Sequence, residues 1–236
     1  RGLGDVYKRQ SHSLFSSLSI TKFEITSRTP VGNQTGFGTI GKYEFLKGVL
    51  HYSVDPKHPD SQLIADIEMV PTGNDGKVHF ASDVQILKPI NPKPGGSLLV
   101  DVVNRGNRTA LVFNSPPPVP ADQDPALGNG FLMERGFTLV FCGWQTDVPD
   151  GRNRLHGGEA VDQNGHRLTG QAYQQFDLHK TSNELLLSDR EHNPLPTADL
   201  EDPTATLIER DWPDGPPTII PREQWQFARW TDGQPT

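Results

Sequence analysis

The sequence is poor in cysteine, in long apolar runs and in clustered basic residues. Its 236 residues include one cysteine, Cys142, so no intramolecular disulfide can form, and the small disulfide-stapled secreted scaffolds are excluded. No apolar run approaches the roughly 20 residues of a membrane-spanning helix, so no membrane span is expected. Lys and Arg number 22 against 29 Asp and Glu, for a formal net charge of -7, and they form no stripe. This charge pattern argues against nucleic acid as a partner.

Glycine and proline, in contrast, are abundant. The chain has 23 Gly and 21 Pro, about 19% of its residues against a background of roughly 12%, which predicts many loops and few long helices. Only 33% of the residues are hydrophobic, but they cluster into short runs that can fill buried strands, so a folded core is expected. At about 150 residues per domain, the length allows one large domain or two small ones.

The two ends of the sequence differ in character from the rest. Residues 1–10, RGLGDVYKRQ, begin without methionine and resemble a translated adapter or vector tail of the kind found on metagenomic gene fragments. The last residue, Thr236, closely follows the aromatic run REQWQFARW. We therefore expect residues 11–236 to form the N-terminal part of one larger domain. Because a secretion signal could precede them, the compartment stays open, as does the oligomeric state.

Residues 22–96 have the pattern of an antiparallel, β-rich front segment. Residues 22–28 alternate apolar and polar side chains as a half-buried strand does, and 43–54 are aromatic and β-branched with an internal glycine that predicts a bulge. Residues 63–70 and 77–87 are predicted to form a hairpin, because Asn-Asp-Gly between them is a strong turn signal.

Residues 97–145 follow a different pattern. The runs SLLVDVV at 97–103 and FTLVFCGW at 137–144 are nearly continuous apolar segments, which is typical of parallel strands covered on both faces. A Pro-rich loop at 114–125 and a short helical stretch at 130–136 lie between them. Two such strands joined by a loop and a helix predict a right-handed βαβ crossover.

Residues 146–236 are polar again and predict a loop-rich excursion from the sheet. Within them, the segments at 167–176, 204–211 and 218–221 have the composition of short exposed strands. No internal repeat is present in the sequence.

The glycine-rich segment GFGTIGKY, at 36–43, matches the G-x-G-x-x-G pattern of nucleotide-binding loops. A phosphate loop needs a buried strand before it and a helix after it. Here a polar segment precedes the glycines, and a strand-like segment follows from Tyr43 onward. A glycine-rich turn is therefore expected, and no nucleotide cofactor.

No pattern of metal ligands is present. Asp55, Asp60 and Asp66 lack the glycine and the terminal glutamate of a calcium loop. Cys142, inside an apolar run, is predicted to be a buried structural thiol rather than a reactive one. The histidines include no H-x-x-x-H pair and are expected to be scattered over the surface and loops: His12, His51, His58, His79, His156, His166, His179 and His192.

Two segments carry the most specific signal: VDVVNRGN at 100–107 and GFLMERGFTLVFCGWQTDV at 130–148. Their order resembles the alpha/beta hydrolase domain-containing family of bacterial serine hydrolases, and the likeness extends over residues 22–230. The resemblance implies an α/β fold class, the N-terminal part of an α/β-hydrolase sheet with an antiparallel β-rich front segment and a β-rich insertion. It also implies an enzyme that hydrolyses carboxylic esters of small molecules without a cofactor or metal.

The resemblance also supplies candidate site residues. Arg105, Gly106 and Asn107 take the place of the His-Gly-x turn whose backbone amides form half of an oxyanion hole. Trp144 and Gln145, at the tip of the second apolar run, are expected to line the substrate pocket; packing of Trp144 beneath the loops is the alternative. Replacing Gly106 with valine in the complete gene is expected nearly to abolish turnover and to leave folding largely intact.

The nucleophile of such an enzyme is missing from the sequence. No G-x-S-x-G occurs, and the nearest approach, around Ser97, lacks the second glycine and precedes a strand. The resemblance therefore implies that the serine, the acid and the histidine of the triad lie beyond residue 236, and that residues 1–236 alone are inactive.

A noncatalytic, β-rich module that binds carbohydrate or another partner is the alternative function. Its binding surface would be an aromatic platform formed by Trp212, Trp225, Phe227 and Trp230, because aromatic ring faces stack on such ligands. Clusters of this kind more often belong to a core. A G-x-S-x-G downstream of Thr236 would favour the enzyme over the module.

Overall fold

The computed structural model describes residues 17–32, 36–115, 125–151, 153–178, 180–188, 193–194, 197–228, 230–231 and 234–235. The predicted adapter tail at 1–10 and most of the Pro-rich loop at 114–125 lie outside these residues. The chain divides into two compact units. Unit 1 comprises residues 1–173 and 188–193, and unit 2 comprises 174–187 and 194–236.

Unit 1 contains a five-stranded mixed sheet with the strand order β1-β2-β3-β5-β4. Strands β1, β2 and β3 form an antiparallel meander, β3 pairs antiparallel with β5, and β5 pairs in parallel with β4. The sheet thus joins an antiparallel region to one parallel pair. The strand bounds are Leu18–Val31 for β1, Tyr43–Val54 for β2, Val78–Pro89 for β3, Leu98–Val102 for β4 and Thr138–Cys142 for β5.

The prediction of a strand at 43–54 is confirmed by β2, and the predicted irregularity lies opposite its glycine. Gly48 pairs with Ile25, and the bulge falls in β1 between Ile25 and Ser27. A Cβ at position 48 would collide with the carbonyl oxygen of Glu24, so the close approach of β1 requires glycine. Strand β1 is exposed along nearly its whole length rather than half-buried as expected.

The predicted hairpin between 63–70 and 77–87 is wrong. Residues 63–70 contain no strand; two 3-10 helices, Pro59–Leu63 and Ile67–Met69, occupy this region. Asp66 between them has a left-handed backbone with φ of 58°, which interrupts any extended run. Strand β3 instead pairs with β2.

The larger of the two hydrophobic clusters described in unit 1 covers one face of the sheet. Two short helices lie over it, the 3-10 helix Thr109–Asn114 and the four-residue helix α1, Phe131–Glu134. The buried side chains of this core are Tyr43, Phe45, Leu87, Val103, Ala110, Leu111, Leu132, Met133, Leu139, Phe141 and Leu155. The Tyr43 hydroxyl lies 2.9 Å from the carbonyl oxygen of Phe137 and 3.1 Å from that of Met133, so the one polar group of this side chain has acceptors inside the core.

The expected α/β fold class, the N-terminal part of an α/β-hydrolase sheet, is wrong. Strand accounts for 31% of the described residues and helix for 11%, and the sheet is mixed. Strands β4 and β5 do pair in parallel, but the helices described between them, Thr109–Asn114 and Phe131–Glu134, are short. Leu98, Val100 and Val102 of β4 are 52–64% exposed, whereas continuous apolar runs predicted burial on both faces. Because β4 lies at the edge of the sheet, its apolar run does not show that both of its faces are covered.

Unit 2 contains two small antiparallel pairs. Strand β6, Leu207–Glu209, pairs with β7, Thr218–Ile220, which confirms the short strands predicted at 204–211 and 218–221. Strand β8, Trp230–Thr231, pairs with β9, Gln234–Pro235. The predicted strand at 167–176 is absent: the structure describes these residues as irregular.

None of the helices in the described part of the chain has the length and apolar character needed to cross a bilayer.

Candidate functional site

The turn that follows β4, residues 104–107, is the centre of the candidate site. The amide of Asn107 donates to the carbonyl oxygen of Asn104 at 2.9 Å. The two central residues, Arg105 and Gly106, both have left-handed backbones, with φ of 51° and 71°. Two successive positive φ angles are typical of a type I′ turn. Glycine adopts this conformation freely, while arginine does so at a cost, so neighbouring contacts must hold position 105.

The end of β5 supplies those contacts. The amide of Arg105 donates to Oε1 of Gln145 at 2.6 Å, and the indole Nε1 of Trp144 donates to the carbonyl oxygen of Val103 at 2.6 Å. Because the carboxyl ends of parallel neighbours meet at the same edge of a sheet, the two segments predicted as site residues lie together. Trp144 is 58% exposed, so its ring is not packed beneath the loops.

Residues 148–155 pack against Gly106. The amide of Leu155 donates to the carbonyl oxygen of Gly106 at 3.0 Å. A Cβ at position 106 would lie 2.8 Å from Cγ1 of Val148 and from Cβ of Arg154, closer than such atoms pack. The expectation that valine at this position leaves folding intact is therefore wrong, because the substitution adds steric overlap to an unfavourable backbone conformation.

The three candidate oxyanion amides are not equivalent. The amide of Arg105 is bonded to Gln145, and that of Asn107 closes the turn. Within the described residues, the amide of Gly106 has no hydrogen-bond partner. Gly106 itself is buried, and buried backbone N–H groups almost always have a partner, so this amide is the exception among the three.

An Asp–His pair that the sequence did not predict lies beside the site. The amide of His156 donates to Oδ2 of Asp83 at 2.9 Å, and the ring Nδ1 of His156 lies 3.3 Å from the same oxygen. Nε2 of His156 is 3.6 Å from Oδ1 of Asp150. The amide of Gly143, directly after β5, donates to the carbonyl oxygen of Asp83. This pair therefore anchors His156 beside the end of β5.

Sequence reasoning placed His156 among the scattered histidines because Asp83 is 73 residues away. The one local signal is the Gly-Gly that follows it. A Cβ on Gly157 would collide with the backbone of Trp144, and one on Gly158 would lie 2.7 Å from the carbonyl oxygen of Ala81. Two adjacent glycines after a histidine thus marked a segment that packs against other backbone.

The thiol of Cys142 and the glycine-rich segment both pack within the fold of unit 1. Cys142 is partly buried, and burial, followed by the negative charge of Asp101, raises the pKa of its thiol, which disfavours the reactive thiolate. Residues 37–41 close a turn in which the amide of Phe37 donates to the carbonyl oxygen of Gly41 at 2.8 Å. Strand β2, not a helix, follows this turn, in agreement with the strand-like segment predicted from Tyr43 onward.

Metal-binding geometry is likewise not seen in the part of the chain that the structure describes: its His, Cys, Asp and Glu side chains form no group of three or more that could hold an ion.

The aromatic cluster of the alternative function lies in unit 2. The rings of Trp225 and Phe227 meet edge to face, with centroids 5.2 Å apart. The guanidinium carbon of Arg222 lies 4.3 Å from the Trp225 centroid, so it covers one face of that ring. Trp212 is 56% exposed, and the Trp230 side chain lies outside the described residues.

Comparison with known proteins identifies no relative: no protein-family model, no curated protein and no solved structure matches this chain. Its function is therefore inferred from the geometry at the ends of β4 and β5.

Proposed function

We propose that this chain carries an oxyanion-binding turn of a serine hydrolase that acts on carboxylic esters of small molecules. The observation that supports the proposal is the unpartnered amide of Gly106, which lies in a turn at the carboxyl end of a parallel strand pair. Ligands of parallel sheets bind at this end of the strands. Gln145 and Leu155 fix the backbone on either side of that amide, so its direction is set before a ligand arrives.

The chemistry of ester hydrolysis explains the need for such a donor. A serine hydroxyl attacks the ester carbonyl carbon while a histidine accepts its proton and passes it to the leaving alcohol. The carbonyl oxygen becomes a tetrahedral oxyanion, which preorganised N–H donors stabilise. The amide of Gly106 would supply one donor, and a second would come from outside the turn. Loss of one donor lowers kcat by about 100- to 1000-fold in enzymes of this type.

The coding sequence downstream of Thr236 gives the first test. The proposal requires a G-x-S-x-G, followed by an acid and a histidine within about 200 residues. A stop codon soon after Thr236 would contradict it. Where the motif is present, the protein from the complete gene should react covalently with a fluorophosphonate probe. The matched controls are a Ser→Ala variant of the motif serine and the 236-residue chain, neither of which should be labelled.

The binding-module alternative has less support. Stacking on a sugar needs a free ring face, and the Arg222 guanidinium already covers one face of Trp225. Trp212 retains an exposed ring, but a single exposed aromatic side chain is common on protein surfaces.

A further inference from the structure

We infer that Gln145 is a positioning residue that sets the direction of the turn amides, instead of a residue that lines the substrate pocket. This inference rests on the proposed function, because it assigns a role at the same turn. It is supported by the contacts of both polar ends of the residue. Oε1 accepts from the amide of Arg105 at 2.6 Å, and the main-chain carbonyl oxygen accepts from the amide of Gly157 at 2.8 Å.

The two bonds place Gln145 between the turn and the segment that packs beneath it. Its side chain is hydrogen-bonded to Arg105, the residue directly before Gly106. Its main chain is hydrogen-bonded to Gly157, which follows His156, the residue bonded to Asp83. The neighbouring Leu155 bonds to the carbonyl oxygen of Gly106. Rotation of the peptide between Arg105 and Gly106, which carries the Gly106 amide, is therefore restrained from both sides.

The backbone at Arg105 makes this restraint necessary. A non-glycine residue with φ of 51° is in a sparsely populated region, and such a conformation persists when surrounding contacts determine it. The bond from the Arg105 amide to Gln145 Oε1 is a contact that reaches this residue from the end of β5. Without an acceptor at position 145, the turn can relax, and the amide that faces the oxyanion changes direction.

Amide hydrogen exchange on the 236-residue chain tests the restraint directly. Gln145→Met removes the acceptor while keeping the length of the side chain, and Gln145→Glu keeps an acceptor oxygen at the same reach. We expect exchange at Arg105 to accelerate about tenfold or more in the Met variant and to stay slow in the Glu variant. Gln62→Met, at an exposed position in the 3-10 helix Pro59–Leu63, is the matched control. Unchanged exchange at Arg105 in Gln145→Met would overturn the inference.

Kinetics on the protein from the complete gene distinguish positioning from substrate binding. For Gln145→Met we expect kcat to fall about 10- to 100-fold with KM within about twofold, because misplacement of a catalytic group affects the transition state. A raised KM with unchanged kcat would show that Gln145 contacts substrate, and would overturn the inference. If the wild-type protein does not react with the fluorophosphonate, the proposed function fails, and the exchange experiment alone decides whether Gln145 holds the turn.

Discussion

The two units of the chain are stabilised by different interactions. Unit 1 packs eleven buried side chains against one face of its sheet, and no buried hydrophobic side chain is found among the described residues of unit 2. There, the Arg222 guanidinium donates to the carbonyl oxygens of Leu200, Asp202 and Trp225. The hydrophobic effect therefore contributes most to unit 1, while a hydrogen-bonded cation is among the contacts that join residues of unit 2. A chain with a low apolar fraction can thus concentrate its core in one part.

Truncation of the central core residue of unit 1 should give the largest effect. Phe141 is fully buried on β5 and belongs to the core cluster. We expect Phe141→Ala to lower the free energy of unfolding of unit 1 by about 3 to 5 kcal/mol, because it removes apolar burial and leaves a cavity. Denaturant unfolding followed by circular dichroism measures the change.

Val100→Ala is the matched control on the adjacent strand. Val100 is 52% exposed, so its truncation should change the free energy of unfolding by less than about 0.5 kcal/mol. Equal effects at Val100 and Phe141 would contradict the assignment of Phe141 to the buried cluster and of Val100 to the exposed surface.

The difference between buried and exposed strands also explains which parts of the fold could be predicted from the sequence. The aromatic and β-branched run at 43–54 predicted β2 to the residue, because it fits a half-buried pleated surface wherever that surface lies. The strand predicted at 63–70 is wrong because apolar composition does not show which strand a segment pairs with. The left-handed backbone of Asp66 could not be identified from the sequence either. The prediction of helical layers on both faces of an α/β sheet is wrong for a related reason. An apolar run does not show whether a strand is central or at an edge.

The candidate site was predictable where it is local in sequence. Arg105 and Gly106 form one turn, and Trp144 and Gln145 follow the partner strand, so parallel pairing was enough to bring them together. The contact between Asp83 and His156 depends on the register of β3 and on the path of residues 146–158, neither of which has a sequence signature.

A second prediction concerns Tyr43, a polar side chain that is fully buried in the core of unit 1. Burial raises the pKa of the Tyr43 hydroxyl from its ordinary value near 10 to about 12. A raised folded-state pKa contributes stability that is fully present below pH 10 and is lost as pH rises from about 10 to 12, since the unfolded chain loses the proton first. The loss should amount to about 3 kcal/mol.

Tyr43→Phe isolates this contribution. The difference in free energy of unfolding between wild type and the variant, measured at intervals from pH 8 to 11.5, should become less favourable to wild type above pH 10. Titrations common to both chains cancel in the difference. A difference independent of pH would show that the hydroxyl ionises equally in the folded and unfolded states.

The smallest effect is expected in unit 2 and tests whether Arg222 organises it. Arg222→Leu removes three hydrogen bonds to carbonyl oxygens and the contact with the Trp225 ring. Because this side chain is only partly buried, we expect a loss of about 1 to 2 kcal/mol, seen as faster proteolysis within residues 197–228.

Arg222→Lys separates charge from geometry in that unit. Lysine keeps the cation but cannot direct a planar fork at three carbonyl oxygens, so it should resemble leucine in the proteolysis assay if hydrogen bonding is what organises the unit. Wild-type resistance in the lysine variant would show that the cation over the Trp225 ring is sufficient. Wild-type resistance in both variants would place the stability of unit 2 in contacts other than Arg222, and the contrast between an apolar unit and a cation-centred unit would no longer hold.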